Sequence, residues 1–320
     1  MKFRSLCLAL LLGATSLAAH AQSWPTKPIR FLVAAPGGSS LDVIARTLSD
    51  KLKDKLGQPL VVENVPGAAG TIATAQTARA EPDGHTILIS FNGPLAFAHH
   101  LSKLSYDPQK DLTPVILTSS QPNVLAVSTQ VPANNVRELI AYAKQHPGKL
   151  NYSSVGNGSS SHLTMELFKS MTGTFMVHIP YNGAPPAALS LVRGDAQVLF
   201  TIPTVVMPHV KNGKMKALAV TSAKRFSLLP DLPTVAESGL PGFESLAWNG
   251  ILVPAGTPRE IVERLNHEVD AALKQADVKA RLNNAGLEVA GGSPEAFKTL
   301  IEEESKMWAE VIRKTGAKLD

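Results

Sequence analysis

The 320-residue chain carries 31 Lys and Arg against 26 Asp and Glu, a formal charge of +5, with 44% hydrophobic residues and a single cysteine. Charges of both signs are interspersed, as in Lys51-Leu-Lys-Asp-Lys55 and Glu302-Glu-Glu-Ser-Lys306, so a basic patch for nucleic acid or a membrane surface is excluded. One cysteine excludes internal disulfides, and the length allows two domains held by core burial alone.

Lys2 and Arg4 form a basic start, Leu6 to Leu12 an apolar core, and Ala19-His20-Ala21 a small-x-small cleavage site. The pattern predicts a signal peptide over residues 1–21, too short and wrongly flanked for a membrane anchor. Cys7 lies inside the apolar core, so a lipid-anchored N-terminus is not expected. Cleavage after about Ala21 leaves 299 residues without cysteine, and loss of Lys2 and Arg4 takes the formal charge from +5 to +3. No later apolar run approaches the length of a membrane span, and a soluble exported protein is expected.

Strand and helix patterns then alternate. Ile29 to Ala35 reads as a strand ending at Pro36-Gly-Gly38. The helix behind it buries Leu41, Ile44, Ala45, Leu48, Leu52 and Leu56 at three- and four-residue spacing and stops at Gly57. Pro59 to Glu63 is a strand, Pro66-Gly-Ala-Ala-Gly70 a turn, Thr71 to Ala80 a helix, and Thr86 to Ser90 a strand leading to Asn92-Gly93. A long apolar stretch, 114–128, precedes a second series. It comprises a helix from Val136, a strand from Leu150 to Val155, and a helix opened by Gly156-Asn-Gly-Ser-Ser-Ser-His162 with Leu163, Leu167, Phe168 and Met171 on one face. Strands from Phe175 to Tyr181, Ala196 to Phe200 and Lys216 to Thr221 follow, then a second apolar stretch, 244–254, and helices from Pro258, Val278 and Pro294.

Strands alternating with helices predict an α/β fold with mostly parallel sheets. The two long stretches predict two crossovers between two α/β domains, divided as 22–122, 123–246 and 247–320, the last returning to the first domain. Ligands of open α/β sheets bind at the carboxyl ends of strands, which places Pro36, Gly37, Gly38, Asn92, Gly156 to Ser161, Asn182 and Thr201 at one cleft. These residues are glycines, hydroxyls and amides, and several open helices. Helix starts offer unpaired N–H groups and attract anions. Pro36-Gly-Gly-Ser-Ser-Leu-Asp42 therefore carries two readings: a turn capped by Ser39 or Ser40 with Asp42 completing the cap, and an anion site.

Other chemistry is weaker. Gly156-x-Gly158-x-x-Ser161 lacks the acidic residue that holds a ribose at the end of the next strand, and Gly67 to Thr71 lacks the lysine of a phosphate-binding loop. Ser159, Ser160 and Ser161 sit beside His162, where neighbours on a helix do not face each other, so a catalytic serine is not expected. His99, His100 and His178 lack metal-ligand spacing. No cofactor and no metal are expected. Trp248 and Phe97 read equally as core or as ligand-facing platforms.

The chain resembles the Bug-type extracytoplasmic receptors of tripartite tricarboxylate transporters. The resemblance rests on Trp24-Pro-x-Lys-Pro-Ile-Arg30, Pro36-Gly-Gly-x-x-x-Asp42, Leu56-Gly-Gln-Pro59, Glu63-Asn-x-Pro-Gly-Ala68, Pro82-Asp-Gly84 and Pro147-Gly-Lys-Leu-Asn-Tyr152. It continues through His162-Leu, His178-Ile-Pro-Tyr181, Pro233-Thr-Val-Ala-Glu237 and Trp248-x-Gly250. It implies a type II periplasmic-binding-protein-like fold that closes on a small carboxylate and delivers it to membrane permease subunits. It also implies ligand contacts from Pro36, Gly37 and Gly38 with Asp42 nearby, from Gly156, Gly158, Ser159, Ser160 and His162, and from Tyr181 and Asn182. Two positions depart from the family pattern: Val65 stands where a basic residue is usual, and Asn182 where lysine is common. The resulting expectation is a periplasmic, monomeric solute-binding protein without catalysis; the alternative is a ligand-sensing input to a signalling partner.

Overall fold

The computed structural model describes residues 24–316, so the signal peptide expected over residues 1–21 lies outside the described residues. The N-terminal half of the first lobe runs β1 (Ile29–Val33), α1 (Ser40–Leu56), β2 (Leu60–Asn64), α2 (Thr71–Ala78) and β3 (Thr86–Phe91). A π-helical turn, Gly93–Phe97, continues into α3 (Ala98–Leu101), and β4 (Leu112–Pro122) closes this half. The apolar stripe of α1 is buried as its spacing predicts, and Gly57, with φ 73°, ends the helix by turning its N–H back to the Lys53 carbonyl.

The second lobe comprises β5 (Val124–Ser128), α4 (Val136–Gln145), β6 (Asn151–Ser154), α5 (Ser160–Thr172), β7 (Val177–Pro180), α6 (Ala184–Arg193), β8 (Val198–Thr201), α7 (Pro203–Lys211) and β9 (Met215–Val220). The chain returns through β10 (Leu246–Pro254), α8 (Arg259–Leu273), α9 (Ala276–Asn284), β11 (Glu288–Val289) and α10 (Pro294–Thr315). One sheet has the order β11-β4-β10-β3-β1-β2 and the other β7-β6-β8-β5-β9.

Both sheets are mixed, which corrects the expectation of mostly parallel sheets. β1 pairs in parallel with β2 and β3, and β6 with β7 and β8. The crossing strands break this order: β10 lies antiparallel between β3 and β4, and β5 antiparallel between β8 and β9. Each crossing strand enters a sheet from the other lobe, without the helical return that keeps neighbours parallel. The apolar stretch 114–128 is therefore two strands in different sheets, parted at Asn123.

The two crossings are tied to each other at Thr221. Its hydroxyl accepts the Asn123 N–H (2.8 Å) and donates to the Ser245 carbonyl, while its own N–H reaches the Asn123 carbonyl (3.0 Å). The lobes also meet through an apolar cluster in which Leu163 and Leu167 of α5 pack with Phe97, Trp248, Phe297, Ile301 and Trp308. Helix α7 has no clear sequence signal because Pro203 opens it and Pro208 lies inside it; Pro203 is tolerated at its first turn. Met171, expected on the buried face of α5, is instead exposed.

Candidate ligand-binding site

A cavity of about 370 Å³ lies between the lobes. From the first lobe it takes Ala34 to Pro36, Ser39 to Leu41, the turn around Pro66 and Gly70, Phe91 and Asn92, and Ala247 to Asn249 of β10. From the crossing come Gln121 and Asn123; from the second lobe come Val155, Ser159 to Ser161, Gly183, Ala184, Thr201 and Ile202. None of these lining residues has a charged side chain.

Helix starts rim the cavity from both sides. Ser39 caps α1, Gly70 precedes α2, Ser159 caps α5, Gly183 precedes α6 and Ile202 precedes α7; all of them line it. In α1 the Asp42 N–H goes to Ser39 Oγ (3.3 Å) and the Gly38 N–H to Asp42 Oδ2 (2.9 Å). In α5 the His162 N–H goes to Ser159 Oγ (3.2 Å) and the Gly158 N–H to His162 Nδ1 (3.1 Å). The N–H groups of Ser40 and Leu41, and of Ser160 and Ser161, take no acceptor among the described residues. These four amides lie in the first turns of two helices that face one cavity, where the partial positive charge of each helix is concentrated.

Of the residues expected at the site, Pro36, Ser39, Asn92, Ser159, Ser160 and Thr201 line the cavity. Gly38, Asp42, Gly158 and His162 stand behind that wall and shape the two turns, because a side chain in the first helical turn bends back toward the preceding residues. Gly37, Gly156, Tyr181 and Asn182 also fall outside the lining; the Gly156 carbonyl accepts the Ser159 hydroxyl (2.6 Å), and the Tyr181 N–H pairs with Ser154. Ser161, expected at the cleft, and Trp248, read as core or as a ligand-facing platform, also line the cavity; Gln121, Asn123 and Asn249 line it with no local signal in the sequence. The alternation of β4 and β10 places Gln121 beside Ala247 and Ser119 beside Asn249, a relation visible only once the strands are paired.

Two buried clusters back the cavity. Behind α5, the His162 and His178 rings stack with centroids 4.3 Å apart, and Tyr152 stacks on His178 at 4.6 Å. Ser154 Oγ contacts His178 Nε2 (2.6 Å), and the Tyr152 hydroxyl donates to Glu166. Burial and the neighbouring His162 and Lys169 push His178 down to about 3, so this ring is neutral. Behind Trp248, the Glu304 carboxyl of α10 lies near the indoles of Trp248 and Trp308 and the Asn92 amide, and burial raises it to about 7; the two indole N–H groups and Glu304 Oε2 make no hydrogen bond among the described residues. His99 and His100 both contact Ser305 Oγ, at 3.0 and 2.8 Å. Among the described residues no cluster of three His, Cys, Asp or Glu is placed to hold a metal ion.

Two α/β lobes joined by paired crossings, with a neutral, helix-rimmed cavity between them, define a periplasmic binding protein. Residues 44–317 match the family model of the tripartite tricarboxylate transporter family receptor. The protein BugT of Bordetella pertussis is 35% identical over 316 residues, covering 98% of this chain and 97% of BugT. Rpa4515 of R. palustris, solved with adipate, superposes with a TM-score of 0.82 at 37% identity, covering 92% of this chain and 98% of that one. MatC of Rhodopseudomonas palustris, solved with bound malate, gives 0.79 at 35% identity, covering 90% and 100%. The chain belongs to the tripartite tricarboxylate transporter receptor family and is of the Bug type.

Proposed function

We propose that this protein captures a small carboxylate-bearing solute between its lobes in the periplasm and delivers it to the membrane components of a tripartite tricarboxylate-type transporter. The observation that carries this reading is the cavity itself, where first-turn amides of α1 and α5 lack acceptors and no lining side chain is charged. A carboxylate supplies those amides with acceptors and suits the positive ends of the helices. The adipate and malate held by two relatives support the same ligand class.

The lobes, taken as residues 22–122 with 247–320 and 123–246, would close by rotation about the crossings at Asn123 and Ser245. A solute bridging both lobes favours the closed form by its greater affinity for it. The closed form is what the transporter reads, and the solute leaves chemically unchanged. The chain acts as a monomer without cofactor, exported by a signal peptide cleaved after about Ala21.

Thermal unfolding of the mature protein against mono-, di- and tricarboxylates tests this. A ligand at 100 times its Kd stabilises by about 2.7 kcal/mol, a shift of about 4 °C for a chain of this size. A shift for a carboxylate supports the reading; shifts confined to uncharged compounds overturn it.

A further inference from the structure

The cavity has a second polar wall whose chemistry is opposite to that of the helix starts. It is built where β4 and β10 pair: Gln121 stands opposite Ala247, and Ser119 opposite Asn249, with Asn123 one residue beyond the end of β4. Gln121, Asn123, Ala247 and Asn249 all line the cavity.

The amide hydrogens of the two asparagines point into the protein. Asn123 Nδ2 donates to Ser160 Oγ (3.0 Å) and Thr164 Oγ1 (3.3 Å), and Asn249 Nδ2 donates to Ser119 Oγ (3.0 Å). Their carbonyl ends receive no hydrogen bond from the described residues. Gln121 goes further. It is 4% exposed, its Oε1 is buried without a donor, and no described residue bonds its amide at all. A buried amide oxygen without a donor is costly and is satisfied in native proteins by a partner or a ligand.

Building on the carboxylate reading, we infer that Gln121 is a specificity-determining residue that selects carboxylates bearing a neutral hydrogen-bond donor, a hydroxyl or an amide N–H, away from the carboxylate. The ligand's carboxylate sits on the helix-start amides, and its donor pairs with the Gln121 oxygen as the unbonded amide turns toward the cavity, with Asn123 and Asn249 offering further acceptors. A second ionised carboxylate gains less on this wall, because it cannot donate to the buried Gln121 oxygen and no cationic side chain lines the cavity to pair with it. An unsubstituted acid leaves the buried oxygen unpaired. Sites built around a hydrogen bond discriminate strongly against ligands that lack it.

The test is calorimetric titration of the mature protein with matched sets of four to seven carbons. Each set holds the unsubstituted acid, the ω-hydroxy acid, the ω-amide acid and the dicarboxylate, for example hexanoate, 6-hydroxyhexanoate, 6-amino-6-oxohexanoate and adipate. The expected result is that in at least one set the hydroxy or amide acid binds about tenfold or more tightly than both other members. Gln121→Met should abolish that preference, the hydroxy and amide acids losing about tenfold relative to the unsubstituted acid. Gln121→Glu should weaken the dicarboxylate further, which keeps a second variant available if the methionine does not fold. Dicarboxylates binding tightest in every set, or unsubstituted acids binding as well as hydroxy acids, overturn the role of Gln121 and leave the carboxylate reading intact. Binding of no acid in any set, with uncharged solutes bound instead, overturns both.

Discussion

Asp42 and His162 hold the same station in two equivalent turns, one in each lobe. Each is the third residue of its helix, and each accepts through its side chain the N–H of the glycine four residues earlier, Gly38 at 2.9 Å and Gly158 at 3.1 Å. Each turn is completed by a serine N-cap, Ser39 or Ser159, and both glycines have positive φ, 80° and 69°. The result in both lobes is that the inner amides of the turn are consumed and those of the first helical positions are left facing the cavity. The chemistry of the two anchors differs. Burial works against the Asp42 charge, yet Arg46 and the Gly38 N–H hold its carboxyl below the ordinary range. His162 accepts through a ring nitrogen that carries no proton.

Replacing either anchor should loosen the turn it holds. Asp42→Ala and His162→Ala are each expected to lower stability by about 1–2 kcal/mol, the usual value of a helix cap, and to weaken the bound carboxylate as well. Asp42→Asn should retain most of the stability, since an amide oxygen can still accept from Gly38. Urea unfolding and calorimetry on the same variants check this. Full affinity in His162→Ala would show that the α5 turn needs no side-chain anchor.

The two turns were legible in the sequence because everything that makes them is local: a strand end, a glycine of positive φ, a capping serine and a polar third residue. The stripe of α1 was legible for the same reason, with each buried leucine and isoleucine one turn from the next. The second polar wall was not. Gln121, Asn123 and Asn249 belong to a crossing, and their common face depends on β10 entering between β3 and β4 from far along the chain. An apolar stretch such as 114–128 reads alike whether it stays in one sheet or changes sheet at Asn123. Only the hydrogen bonds of Asn123 with Thr221 mark the change, and those are non-local too.

Stability should respond to pH in two opposing ways. Glu304 titrates at about 7 in the folded protein against an ordinary value of 4.5, so its contribution is fully present below 4.5 and is lost as pH rises through 7. The loss amounts to about 3 kcal/mol. His178, pushed down to about 3 from 6.5, contributes fully above 6.5, and that stability is lost as pH falls toward 3. Urea unfolding from pH 4 to pH 8 on Glu304→Gln and His178→Gln separates them. Glu304→Gln should gain on the parent above pH 7, and His178→Gln should resist acid better. Parallel profiles for parent and Glu304→Gln would mean that the carboxyl is solvated.

Gly250 is a packing constraint in the middle of β10. A Cβ there would lie 2.1 Å from the edge of the Phe297 ring and 2.9 Å from the Ile116 carbonyl oxygen. Gly250→Ala is therefore expected to cost about 3 kcal/mol by overpacking, and trimming the ring with Phe297→Leu in the same chain should recover part of it. Gly38→Ala makes the contrast. An added Cβ meets nothing within 4 Å there, and only the φ of 80° opposes it, for about 1 kcal/mol. Equal costs for the two alanines would contradict this assignment.

Thr221 should control both stability and lobe movement, because one hydroxyl serves both crossings. In Thr221→Val the shape is kept, but the Asn123 N–H and the Ser245 carbonyl lose a partner in a fully buried position. An unpaired buried group costs about 1–3 kcal/mol, so Thr221→Val should lose about 2 kcal/mol while Thr221→Ser stays near the parent. Small-angle scattering with and without a bound carboxylate adds the functional readout. With the crossings no longer tied, the ligand-free valine variant should sample a wider range of lobe separations than the serine variant. If both variants compact equally on ligand binding and unfold at the same urea concentration, the hydroxyl is not what holds the crossings in register.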